Sequence, residues 1–208
     1  MPKLFLASVA AAAVVGIGIG VLLHSTFSGG TASALSLPSL HGQATWGPGK
    51  RPAPQFALRD QRGRLVSLHA LQGRTVVLTF LDSLCKQACP VEGRMLAAAI
   101  EQVPQQKRPW LVVVSVDPSG DTPATIAHAV GKWHFPGSVL WVRGTHSQLA
   151  RVWRDYQITV EPVAGDIVHS TAVYLIDSRG DERAGFLMPF VPGLVAADLK
   201  TLAVDRPT

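Results

Sequence analysis

Residues 75–81 form an unbroken run of seven uncharged residues rich in β-branched and aromatic side chains. A strand with one wet face alternates apolar and polar residues, so a run without alternation must be covered on both faces. Residues 111–116 form a second such run, and between them Val91, Met95, Ala99 and Val103 recur at helical spacing over 90–103. A helix over 124–133 carries Ile126, Ala127, Val130 and Trp133, and a third strand follows at 139–142. Thr145 and Gln148 give a capping-box signature ahead of Leu149, Val152, Trp153 and Tyr156. Residues 172–176 and 183–187 predict a hairpin around Ser178, Arg179 and Gly180, and a last helix carries Leu194, Val195, Leu199 and Leu202. Near the start, 56–58 and 65–68 flank residues 59–64, where Gly63 can supply the positive φ of a hairpin turn. The expected class is α/β, a central sheet with helices on both faces.

The N-terminal end reads differently. Residues 4–23 carry no charge, which is long enough for one helix to cross roughly 30 Å of hydrocarbon. Lys3 and the amino terminus are the only positive charges before Lys50, so the positive-inside rule leaves the N-terminus cytoplasmic and the rest outside. Ala32, Ser33 and Ala34 have the form of a signal-peptide cleavage site, but the apolar run exceeds the usual signal length of about 7–15 residues and ends well before them. The expected organisation is therefore a membrane anchor over 1–23, a flexible tether over 24–54 with Pro38, Pro48, Pro52 and Pro54, and a folded domain over 55–208. Such a protein sits in the cell's inner or plasma membrane by a single pass, with its globular part on the periplasmic, extracytoplasmic side. The net charge of +5 comes from scattered basic residues, with no basic run interleaved with aromatics, so no nucleic-acid partner is expected.

The chain has two cysteines, Cys85 and Cys89, placed where the first central strand hands over to its helix. Functional groups collect at such carboxyl ends of α/β sheets. A helix N-terminus favours a thiolate, and Lys86 acts in the same direction. A bridge for stability is the competing reading, but so short a loop yields about 2 kcal/mol against about 4.7 for a hundred-residue loop. Zinc lacks the second cysteine pair of a four-ligand site. Metal or redox chemistry is the preferred reading. Asp117, Pro118, Asp121, Thr122 and Pro123 suit a strand end followed by a helix start, with Asp121 or Thr122 as N-cap. Met188 reads as packing rather than a soft ligand.

Cys85 and Cys89 with Pro90, then the segment 115–123 with Asp117-Pro118 and Asp121-Thr122-Pro123, then His169-Ser170 leading into Tyr174 and Asp177, resemble the Sco/SenC family over roughly residues 55–205. The resemblance implies a thioredoxin-like fold, an N-terminal transmembrane helix, and copper held by Cys85, Cys89 and His169. It also implies delivery of copper, or of reducing equivalents, to the binuclear copper centre of a cytochrome c oxidase, whose copper-accepting subunit is then the partner. The ligand set is chemically sound, because thiolates suit Cu(I) and imidazole also suits Cu(II). One departure stands out: family members commonly carry an acidic residue between the cysteines, where this chain has Lys86, Gln87 and Ala88. A cation there opposes copper and stabilises a free thiolate, and Asp82 is the nearest compensating charge. Two functions follow, a copper metallochaperone that needs all three ligands and a thiol–disulfide oxidoreductase that needs only the redox pair Cys85 and Cys89. A thiol peroxidase ranks last, since Thr79 does not match the usual spacing. His24, His41, His69, His128, His134 and His146 read as solvated or structural.

Overall fold

The computed structural model describes residues 39–164 and 166–203, and residues from 40 onward belong to one unit. In chain order its strands are β1 (Ala44–Thr45), β2 (Ala57–Asp60), β3 (Leu65–Ser67), β4 (Val76–Leu81), β5 (Trp110–Ser115), β6 (Leu140–Arg143), β7 (Val160–Val163), β8 (Asp166–His169), β9 (Ala172–Ile176) and β10 (Glu182–Leu187). The helices are α1 (Ala88–Glu101), α2 (Pro123–Lys132), α3 (His146–Asp155) and α4 (Pro192–Leu202). Eight strands form one sheet in the order β1-β10-β9-β4-β5-β6-β2-β3, and β7 and β8 form a separate ribbon. β4, β5 and β6 run parallel, while β9 lies antiparallel to β4.

The unbroken apolar runs are central strands, as expected. Along β4, Val77 and Leu81 enter one core with α1, α2 and α4, while Val76, Leu78 and Phe80 enter a second core with α3 and the β2–β3 hairpin. β5 divides in the same way, Leu111 and Val113 to the first core and Val112 and Val114 to the second. The capping signals also hold. Thr145 and Gln148 cap α3 reciprocally, and Gly63 turns the β2–β3 hairpin at φ +79°.

Two expectations change and one open choice is resolved. The inward stripe of α1 is rotated: Val91 is exposed, and Cys89, Glu92, Gly93, Leu96 and Ile100 face the core. Cys89 fills an apolar position at the head of the helix. Of the two N-cap candidates of α2, Thr122 is the cap, with Thr125 closing the capping box. The second change is the tether, whose last part is fixed to the sheet. β1 pairs with β10, Trp46 N donates to the Arg183 carbonyl at 3.0 Å, and the Tyr156 hydroxyl donates to the Pro54 carbonyl at 2.8 Å. His41 N donates to both oxygens of buried Asp198, at 2.9 and 2.8 Å, so His41 is structural. Prolines suit this edge because it has no further strand to which an N–H must donate. The expected anchor over 1–23 and the tether to residue 38 lie outside the described residues. Among the described residues, no helix is long and apolar enough to cross a membrane.

Candidate metal centre

β4 ends at Leu81, and residues 82–87 loop over the carboxyl end of the sheet before α1 begins. Cys85 lies partly buried in that loop, while Cys89, in the first turn of α1, is fully buried. His169 ends β8, and the chain then turns through Ser170 into β9, the direct neighbour of β4. This brings the Cys89 Sγ to 3.4 Å from His169 Nε2 across eighty residues of sequence. All three sequence-predicted ligands therefore meet at one end of the sheet. Among the described residues no three His, Cys, Asp or Glu side chains are closed up at ligand spacing, so the three have to draw closer together to complete a site.

The protons explain what this arrangement can hold. His169 Nδ1 donates to the Ser170 carbonyl at 3.0 Å, which places the lone pair of the neutral ring on Nε2, facing Cys89. Cys89 also donates to the Cys85 sulfur. That bond, chiefly, stabilises the Cys85 thiolate and lowers its pKa to about 5. The same bond and burial push the Cys89 thiol upward. A thiol has one hydrogen, yet both the Cys85 sulfur and His169 Nε2 compete for it. A soft cation in place of that hydrogen satisfies three donors at once, two sulfurs and one nitrogen, the set suited to copper.

The loop itself rests on two buried acids. Asp82 accepts from Leu84 N at 2.7 Å, and burial raises its carboxyl to about 6. Asp121 is fully buried and accepts from Ser83 N at 2.8 Å and from Trp141 Nε1 at 3.1 Å. The Asp121 of the 115–123 segment is thus a brace for the cysteine loop rather than a helix cap. Gly120 is fixed by the same packing, since a Cβ there would stand 2.0 Å from Asp117 Oδ2 and 2.7 Å from Leu84. Lys86 is exposed at the mouth, and Met188 packs against the core.

Sequence reasoning missed a group beneath the site. Glu92, one turn along α1 from Cys89, has no solvent exposure. Its Oε1 is hydrogen-bonded to the Thr79 hydroxyl and its Oε2 has no partner, and burial raises its carboxyl to about 7. Thr79 also lies 3.2 Å from the carbonyl of Ala172, the first residue of β9. One hydroxyl hydrogen cannot serve both acceptors, so both contacts of Thr79 are hydrogen bonds when protonated Glu92 donates to Thr79 and Thr79 donates to Ala172, with Oε2 still lacking a partner. This chain ties the cysteine helix to the strand that follows His169. The available signal was an acid three residues after Cys89, on a helix face that the cysteine turns inward.

The SCO1/SenC family profile matches residues 47–203. The mitochondrial SCO2 homolog of Bos taurus is 30% identical over 136 residues, covering 60% of this chain and 50% of that protein, so the matched stretch spans half of that relative's length. A SCO2-like protein of Rickettsia prowazekii is 26% identical over 133 residues, covering 60% of this chain and 64% of that protein. Among solved structures, Bradyrhizobium japonicum ScoI, solved with copper bound, superposes with a TM-score of 0.64 at 26% identity, covering 73% of this chain and 99% of that one. A SCO1/SenC family lipoprotein from Bacillus anthracis gives a TM-score of 0.68 at 23% identity over 77% of this chain and 99% of that one, a likeness of fold. The α/β architecture is thioredoxin-like. With the profile covering most of its length, and with its two cysteines and His169 gathered at one end of the sheet, this chain belongs to the SCO1/SenC family.

Proposed function

We propose that this chain is a copper metallochaperone that binds one copper ion through Cys85, Cys89 and His169. On this reading it delivers the ion to the binuclear copper centre of a cytochrome c oxidase during assembly. The observation that carries the reading is the 3.4 Å approach of Cys89 Sγ to His169 Nε2, with the His169 tautomer set by the Ser170 carbonyl. A redox pair can work without a histidine, whereas a three-ligand copper site needs one, although His169 also helps to stabilise the Cys85 thiolate. Two thiolates retain Cu(I), the imidazole adds a donor for Cu(II), and three ligands leave a coordination position open for transfer. The copper-bound relative from Bradyrhizobium japonicum supports the choice of metal. Residues 4–23 are read as a single-pass anchor that holds the domain on the extracytoplasmic side of the membrane, where the oxidase copper subunit presents its site. Recovery of the mature protein from membranes without detergent would overturn that placement.

A second reading is favoured by the opposed shifts of Cys85 and Cys89 and by Lys86. A partly buried thiolate beside a fully buried thiol is the arrangement of a thiol–disulfide oxidoreductase. Such an enzyme would keep the oxidase cysteines reduced. His169→Ala separates the two. The chaperone reading predicts severe loss of Cu(II) binding and an oxidase-assembly defect as deep as that of Cys85→Ser, with thiol exchange at Cys85 much less affected. Full oxidase activity in cells carrying His169→Ala at limiting copper, with normal protein levels, would transfer the assignment to the oxidoreductase.

A further inference from the structure

A cavity of about 780 Å³ opens between the β2–β3 hairpin and the end of β6, two strands from β4 on the side away from β9. Arg59, Asp60, Arg62, Arg143, Gly144 and Gln148 contribute to its lining. Arg59 and Arg143 are direct partners in the antiparallel β2–β6 register, so their side chains leave the sheet on the same face. Like charges directly opposite one another destabilise a sheet unless something lies between them.

Nothing in the cavity wall supplies that counter-charge. Asp60, its one acidic residue, accepts from Arg62 N and Arg64 N, both at 2.9 Å, and from Arg64 Nε at 2.8 Å, and it is ion-paired with Arg64 Nη2 at 2.7 Å. Arg59 Nη1 donates to the Gly63 carbonyl at 2.7 Å and Arg62 Nη2 to the Gly137 carbonyl at 3.1 Å, neutral acceptors that leave both charges uncompensated. Arg143 Nε is buried with no hydrogen-bond partner among the described residues. A buried, unpaired guanidinium N–H is costly and calls for an acceptor. Three guanidinium groups thus line the cavity, and its one carboxylate is already committed to a fourth, that of Arg64. Arg143 ends a parallel strand, and ligands of α/β sheets gather at that end.

We propose that this cavity is an anion site that binds a phosphate group between the guanidinium groups of Arg59 and Arg143, with Arg62 adding to the field. Guanidinium forks match phosphate oxygens in pairs, and three uncompensated positive charges favour a dianion over a single carboxylate. The phosphate belongs either to a small soluble anion, which can meet this field as a dianion, or to a phospholipid headgroup, whose diester offers a pair of non-bridging oxygens and a single charge.

The full chain in non-ionic detergent and phosphate-free buffer is titrated calorimetrically with inorganic phosphate. Saturable one-to-one binding is expected, weakened roughly tenfold or more by Arg143→Gln and by Arg59→Gln, since each removes a charge-assisted pair. Arg74→Gln, whose guanidinium instead stacks 4.6 Å from the Trp110 ring centroid, should leave binding unchanged. Without phosphate, Arg59→Gln should melt no lower than the parent, because repulsion is relieved, and this separates ligand loss from misfolding. A second arm places the full chain in vesicles of phosphatidylcholine, with or without phosphatidylglycerol, and follows hydrogen exchange in the β2–β3 hairpin. Protection that requires phosphatidylglycerol and Arg143 supports a headgroup, while phosphate binding without it supports a soluble anion. Binding in neither arm, or binding that survives both substitutions, overturns the site.

Discussion

Replacing Glu92 with glutamine should convert a pH-dependent stability into a flatter one, and the size of the change follows from burial. In the folded protein the carboxyl has no solvent exposure and titrates at about 7, against 4.5 as the ordinary value. The folded state therefore holds this proton more tightly than the unfolded state. The stabilisation is fully present below 4.5 and is lost as pH rises through about 7. The interval corresponds to about 3 kcal/mol. Glutamine cannot ionise, and one amide N–H can replace the carboxyl proton toward Thr79, but its second N–H is left without an acceptor in the buried site, a cost of about 1 kcal/mol at all pH values. The variant should thus be about 1 kcal/mol less stable than the parent at low pH and about 2 kcal/mol more stable at pH 8. At about 2–4 °C per kcal/mol for a chain of this size, the two melting curves should cross. Urea denaturation of the reduced, metal-free protein across this range measures the effect. Cys85 and Asp82 titrate in the same window, but both remain in the variant, so the difference between the two curves isolates Glu92. A stability difference independent of pH would refute the buried-proton argument.

Gly120→Ala should cost about 1–3 kcal/mol by overpacking against Asp117 and Leu84, and it should weaken metal affinity by displacing the cysteine loop. Gly131→Ala, in α2 with open space around the new Cβ, should instead stabilise by about 0.5–1 kcal/mol, and thermal melts of the pair read both signs. In the reduced, metal-free protein, Cys85 should be alkylated by iodoacetamide well below the usual thiol range while buried Cys89 resists. Mass spectrometry of peptides labelled at pH 6 checks this, and equal labelling would contradict the assigned hydrogen bond.

The sheet was legible because its central strands have no wet face. In β4 and β5 every side chain beyond Trp110 is buried, and such runs leave no other option. The caps were legible as local chemistry, Thr145 with Gln148 above all. What escaped is held by partners distant in sequence. β1 is two exposed residues, defined only by pairing with β10 and by Trp46 reaching Arg183. The β7–β8 ribbon is mostly exposed and contains Pro162, so no apolar period marks it, yet it delivers His169 to Cys89. The three proposed ligands were picked out by their pattern and by family resemblance. Their supports were not: Asp121 looks like a cap in sequence, and Glu92 looks like a surface helix residue until Cys89 fixes which face is inward.

The central claim is that two sulfurs and one nitrogen hold a single copper. The direct measurement is titration of the reduced protein with Cu(I) and with Cu(II), against a competing chelator, with X-ray absorption reading the ligands. The account predicts one equivalent, with two sulfur donors in both oxidation states and the His169 nitrogen in the Cu(II) form, and no tight binding once Cys85 and Cys89 are joined as a disulfide. Undiminished stoichiometry and affinity after complete oxidation, or a bound copper without sulfur ligands, would contradict it.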